Sequence, residues 1–186
     1  MMKTIEAKIR EIERLLENKA DEKELFAVIA GEKDPEISFD AITEYFQRKL
    51  GWKEKILMPL SKHLFIVCKD RKAIVKAACG HEFGDYRVNW KIFAKVSVRR
   101  NREEMQDLYP YFMHADAGWC EIREYICPGC GKLLSVEVVP PGYPPVFEFL
   151  PDLVTFYEKW LGREFPCEKV ETKDLTVEEL RKRFKI

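Results

Sequence analysis

The residues of this 186-residue chain best suited to chemistry are its six cysteines and three histidines. Two cysteines stand in the run Cys127-Pro-Gly-Cys130-Gly131. A C-x-x-C pair on a tight turn sets both sulfurs on one side of the loop, within reach of one ion, and glycines let backbone amides approach the thiolates. Glu121 to Ile126 and Leu133 to Val139 flank the run and read as strands, so the turn is expected to be the knuckle of a zinc-ribbon-like hairpin. The competing chemistry is dithiol redox exchange. It places the pair where a strand runs into a helix whose N-terminus lowers a thiol pKa. Here a strand follows, which favours a metal.

A tetrahedral ion needs two more ligands. Cys79-Gly80-His81 offers both at the end of another strand, with Gly80 permitting a turn. The predicted ligand set is Cys79, His81, Cys127 and Cys130, with His114 as the substitute for His81. Glu82 and Asp85 are the nearby acids able to accept from the His81 ring. Four protein ligands close the coordination sphere, so the expected zinc is structural and not hydrolytic. Cys68 lies on the order of 25 Å from Cys79 if a hairpin joins their strands, and an extended chain separates Cys120 from Cys127 by about 23 Å. Both read as ordinary thiols, and Cys167 has no partner pattern.

The elements that must position these residues change character along the chain. Ile5, Ile9, Ile12, Leu15 and Leu16 recur at helical spacing, and Leu25, Phe26 and Ile29 suggest a second short helix. Ser38 is placed to cap a third, carrying Phe39, Ile42, Phe46 and Leu50, with Gly51 ending it. Strand character follows in Leu64 to Val67 and Lys72 to Ala78, joined by a turn at Lys69-Asp70-Arg71, and again in Lys91 to Val98. Asn101 with Glu104 opens a short helix that Pro110 closes. Pro140, Pro141, Pro144 and Pro145 force an extended crossing. A helix from Asp152 is expected to bury Leu153, Phe156, Tyr157, Trp160 and Leu161, and Thr176 with Glu179 forms a capping box in the charged tail. The expected fold is α+β: antiparallel β with the knuckle, a helical N-terminal region (1–51), a zinc-binding β-rich core (52–163), and a C-terminal tail with a short helix (164–186).

Composition narrows the function. Thirty-two basic and 32 acidic residues give a formal net charge of zero, where nucleic-acid binding usually needs a basic excess. A neutral chain suits life inside an assembly. No apolar run approaches the roughly 20 residues of a membrane span, and the N-terminus lacks a signal-peptide core. A cytoplasmic location follows, where cysteines stay reduced. There is no G-x-x-x-x-G-K-[ST] loop and no G-x-G-x-x-G, so no catalytic residue is assigned and the chain is not expected to split ATP alone.

With these residues in place, the chain resembles the gamma subunit of acetone carboxylase and its relative in acetophenone carboxylase. The likeness is carried by Ile56 to Leu60 and Leu64 to Val67, Cys79-Gly-His-Glu-Phe-Gly-Asp-Tyr86 with Asn89-Trp90-Lys91, and Tyr109-Pro110 with Met113-His114. It continues in Arg123-Glu124-Tyr125 leading into Cys127-Pro-Gly-Cys130, Pro140 to Pro144, Phe149 to Asp152, and Phe156-Tyr157 with Trp160 to Arg163. It departs from the family pattern at Ala115 to Trp119. The resemblance implies the small zinc-binding subunit of a hetero-oligomeric, ATP-dependent ligase that carboxylates a ketone with bicarbonate. It also implies hydantoinase/oxoprolinase-like alpha and beta partners that hold ATP and manganese or magnesium. Two other readings compete. One is a free-standing zinc-ribbon module for nucleic acid or protein, with Lys91, Lys95, Arg99, Arg100 and Arg102 beside Trp90 and Phe93 as its strip. The other is a small enzyme using His114 with Asp116 or Glu121.

Overall fold

The computed structural model describes residues 5–19, 35–108, 113 and 115–185. It is α+β, with antiparallel strand pairing throughout the registers described. The chain forms two compact units. One comprises residues up to Ala73 with Leu153–Lys169, and the other Ile74–Asp152 with Val170–Ile186.

In the first unit, α1 (Ile5–Leu16) and α2 (Pro35–Leu50) precede the hairpin of β1 (Lys55–Pro59) and β2 (Leu64–Lys69). Helix α2 is described from Pro35, so Ser38 lies within it. Gly51, at φ 61°, closes the helix as expected. The second helix expected around Leu25 lies outside the described residues. Gln47 joins α2 to β1: its Nε2 donates to the Trp52 and Glu54 carbonyls at 2.8 and 3.1 Å, and its Oε1 accepts from Ile56 N at 2.9 Å. Phe65, fully buried, takes edge contacts from Phe46 and Trp52.

Asp70 and Arg71 turn the chain from β2 into β3 (Lys72–Ala77), both with positive φ. Two left-handed residues in a two-residue loop make a turn whose twist suits a hairpin. Residues Leu153–Thr155 form α4, which is followed directly by a π-turn over Phe156–Trp160. The expected apolar stripe is therefore broken: Leu153, Tyr157 and Leu161 are buried while Trp160 is 75% exposed. The wider turn advances each side chain by less than helical spacing assumes. Tyr157 donates to the Leu57 carbonyl at 2.9 Å, and burial pushes its phenol up to about 12. Cys68 and Cys167, expected as unconnected thiols, are disulfide-bonded. Their pairing follows from the chain after Gly162 returning to the hairpin, where Glu168 N donates to the Arg71 carbonyl at 2.7 Å.

In the second unit β3 continues and pairs with β4 (Glu82–Asp85). A sheet of β5 (Lys95–Arg99), β6 (Glu121–Ile126) and β7 (Leu133–Val139) follows in that order. The strand expected from Lys91 begins only at Lys95. Trp90–Phe93 coils as a 3-10 turn because the Asn89 side chain accepts from Lys91 N at 3.1 Å. Asn89 Nδ2 also donates to the Pro145 carbonyl at 3.2 Å, and Asn89 N donates to Thr176 Oγ1 at 2.9 Å. That bond takes the hydroxyl expected to cap α5 (Thr176–Phe184), and Asp174 accepts from Thr176 N instead. Asn101 opens α3 (Arg102–Gln106) as expected, accepting from Glu104 N at 2.9 Å. Pro110 lies outside the described residues.

Candidate metal centre

The two turns that carry the candidate ligands share one local design. In each, a cysteine precedes a glycine in the left-handed region, Gly80 at φ 93° and Gly131 at φ 73°. In each, the amide two residues past the cysteine donates to its sulfur, His81 N to Cys79 and Lys132 N to Cys130. The Cys127 turn is closed by Cys127 N donating to the Lys132 carbonyl at 2.8 Å. The Cys79 turn is closed by Ala77 N donating to the His81 carbonyl, also at 2.8 Å. Ala77 thus occupies in its turn the place that Cys127 occupies in the other. The first turn supplies one sulfur where the second supplies two.

Tertiary packing brings these sulfurs together. Cys79, Cys127 and Cys130 all lie within 4.8 Å of one another, and Cys79 Sγ is 3.6 Å from Cys127 Sγ. Sulfurs bound to one tetrahedral zinc at about 2.3 Å stand about 3.8 Å apart. The three sulfurs therefore fit a thiophilic ion such as zinc, and soft donors select it over magnesium or manganese. Cys127 is buried while Cys79 and Cys130 are exposed. Burial pushes the Cys79 thiol up, whereas the Lys132 amide, followed by the neighbouring sulfurs, lowers that of Cys130.

His81 does not join that sulfur group. Its ring packs edge-on to Phe83 with centroids 4.9 Å apart, and the contact continues through Trp90 to Tyr125. Asp85, considered beside Glu82 as an acceptor for the His81 ring, is engaged by Arg87 at 2.7 Å. His114 lies outside the described residues. Cys120 is half-buried and stands apart from the sulfur group.

Gly129 is where the two turns meet. A Cβ built there would lie 3.0 Å from His81 Cβ and 3.4 Å from Cys79 Sγ. Neither neighbour is the free end of a flexible side chain. Gly129→Ala is expected to cost about 1–3 kcal/mol by overpacking. Chelator competition should read this as roughly tenfold to hundredfold weaker metal retention.

The fold takes up part of the strip considered for nucleic acid, while Lys95, Arg100 and Arg102 remain exposed. Trp90 and Lys91 are buried, Arg99 pairs with Glu124 at 3.1 Å, and Arg100 pairs with Glu121 at 3.0 Å. Glu121, considered as an acid/base, is buried between Arg123 and Arg100. Burial opposes its ionisation, but the two guanidinium groups outweigh that and hold its carboxyl below the usual range.

The sequence reading missed a buried charge network beside this site. Lys91 Nζ donates to Glu137 Oε1 at 2.6 Å, Glu148 Oε1 at 2.7 Å and the Val146 carbonyl at 3.2 Å. Tyr125 donates to Glu137 Oε2 at 2.8 Å and Val146 N to Glu137 Oε1 at 3.0 Å. Burial, reinforced by Glu137, pushes the Tyr125 phenol up to about 12. Burial works against the charged form of Glu137, yet Lys91 and Tyr125 hold its carboxyl below the usual range. The network fastens the proline-rich crossing to β7. The available signal was Glu137 itself, the one charged residue in β7.

Comparison with known proteins places the chain among carboxylase subunits. The family model described as acetone carboxylase gamma subunit matches residues 50–161, which include every candidate ligand. The acetone carboxylase gamma subunit of Xanthobacter autotrophicus is 40% identical over 154 residues, covering 82% of this chain and 91% of the relative. The acetophenone carboxylase beta subunit of Aromatoleum aromaticum is 32% identical over 68 residues, covering 36% of this chain and 53% of the relative. With a match that runs through both metal-site turns and the sheet between them, the chain belongs to the acetone carboxylase gamma subunit family.

Proposed function

We propose that this chain is the small, zinc-carrying and noncatalytic subunit of an ATP-dependent ketone carboxylase that joins a ketone and bicarbonate into a β-keto acid. The observation that carries the reading is the 40% identity to an acetone carboxylase gamma subunit over 82% of the chain. The proposed partners are hydantoinase/oxoprolinase-like alpha and beta subunits, which hold ATP and manganese or magnesium. The proposed location is the cytoplasm; among the described residues no helix is long and apolar enough to cross a membrane. Zinc would be held by Cys79, Cys127 and Cys130, with His81 turning its ring to complete the set, or His114 in its place. When bound, the ion supplies a cross-link between two turns and no position for substrate.

The absence of a phosphate-cradling motif in the sequence supports a noncatalytic role, because phosphoryl transfer needs such a cradle and a divalent metal on oxygen ligands. A tagged chain isolated from its host is expected to co-elute with two large subunits. Ketone- and bicarbonate-dependent ATP hydrolysis should be found in that complex and not in the chain alone. ATP hydrolysis by the isolated chain, abolished by a point substitution within it, would overturn the reading.

A further inference from the structure

The cysteine pair in the first unit has a chemistry of its own. Cys68 on β2 and Cys167 in the returning segment are bonded, with Cα atoms 6.0 Å apart, a separation ordinary for a cystine. The segment around Cys167 has independent anchors. Phe165 is buried with its ring 5.6 Å from that of Tyr157, Glu168 N donates to the Arg71 carbonyl, and Lys169 pairs with Glu158. With the bond open these anchors still hold the segment near β2, less tightly than the cross-link does, and keep the two sulfurs close enough to close again. The reduced state also has an acceptor waiting, since the Pro166 carbonyl oxygen is 3.6 Å from Cys68 Sγ.

The two sulfurs are unequal. Cys68 is half-buried, while Cys167 is 7% exposed. The more exposed residue is the one a small thiol meets first, and access helps decide which sulfur of a disulfide is attacked. We propose that Cys68 and Cys167 form a reversible redox latch on the C-terminal segment, with Cys68 the sulfur that exchanges with a low-molecular-weight thiol and Cys167 the resolving thiol. In opening, a thiolate of the glutathione class attacks Cys68 Sγ. The sulfur–sulfur bond breaks, and its electron pair leaves on Cys167, which takes a proton. A second small thiolate attacks the outer sulfur of the mixed disulfide, releasing the small disulfide and the Cys68 thiolate, which is then protonated. Two small thiols are oxidised and one cystine is reduced. Closing runs in reverse, with the small disulfide as oxidant.

The test uses the full chain in glutathione buffers of graded ratio, read by mass spectrometry after acid quench, with metal content followed in parallel. A Cys68–Cys167 cross-linked peptide should dominate in oxidising buffer and vanish in reducing buffer while metal content stays constant. Exchange of the Glu168 amide should slow at least tenfold when the bond closes. With glutathione disulfide, Cys167→Ser should accumulate a mixed disulfide at Cys68 at least tenfold faster than Cys68→Ser does at Cys167. The wild-type measurement does not depend on either variant folding. Absence of the cross-link in oxidising buffer, its persistence in the most reducing buffer, or equal labelling of the two sulfurs would overturn the proposal.

Discussion

Replacing Cys127 and Cys130 together by serine is expected to remove the metal completely and to unfold the turn between β6 and β7. The size of the effect comes from linkage. Three sulfurs are converged within 4.8 Å, and binding a metal as thiolates they would repel one another at that separation without the ion's charge between them. Metal binding is therefore also folding energy, on the order of 10 kcal/mol or more for structural zinc in small peptide sites. Serine removes the soft ligand while keeping nearly the same volume, so a loss reports on coordination and not on a cavity. Elemental analysis should find about one zinc per wild-type chain and none in the double variant. Hydrogen exchange across Ile126 to Leu133 should rise to the unprotected limit. Cys120→Ser should retain its zinc. Full zinc retention in the double variant would refute the assignment of the centre. Acid should release the ion as well, because its ligands must be deprotonated to bind.

Lys91→Met is expected to be the most damaging substitution away from the metal centre. The Lys91 and Glu137 side chains are 1% and 3% exposed, with their charged atoms 2.6 Å apart. Removing the ammonium leaves a buried carboxylate with the Tyr125 hydroxyl and the Val146 amide as donors and Arg123, at 3.9 Å, as its remaining cation. Breaking one side of a buried pair costs about 3–5 kcal/mol, and Arg123 places the expected loss at the lower end. The exposed Glu148 adds little, since its carboxylate already faces water. Chemical denaturation should read the loss directly. Adding Glu137→Gln to Lys91→Met should recover part of it, because the amide can still accept from Tyr125 without carrying a charge. A loss below about 1 kcal/mol in Lys91→Met would show that the pair contributes little to the fold.

The same network sets an acid limit. The folded-state pKa of Glu137 is depressed, so its contribution is present above the unfolded carboxyl value of about 4.3. It is lost as pH falls through the lower folded value, because the unfolded chain then binds the proton more readily. Glu121 acts in the same direction.

Features governed by neighbours in the chain were legible from sequence. The knuckle at Cys127 to Gly131 is one: two ligands, the glycine and both flanking strands lie within twenty residues, so local spacing determines where the sulfurs point. The Asn101 cap and the Gly51 helix end are others, since each depends on a bond or a dihedral within one turn. The pairing of the two turns was half-visible, because Cys-Gly followed by an amide donor occurs in both. That Cys79 meets Cys127 across 48 positions still required the fold.

What only the tertiary structure decided concerns partners far apart. Lys91 has the sequence context of a solvated strand residue and becomes buried because Glu137, 46 positions on, meets it inside the sheet. Cys68 and Cys167 carry no spacing signal across 99 positions, and they meet because the chain after the π-turn returns to the β2 hairpin. The strand expected at Lys91 gave way to a 3-10 turn for a related reason: Asn89 is held by Thr176 and Pro145, and its side chain then organises the next turn. Alternation and capping act over one turn or one strand, and sequence records them. Burial of a charge and closure of a long loop depend on which distant groups arrive to satisfy them, and that is fixed only when the chain has folded.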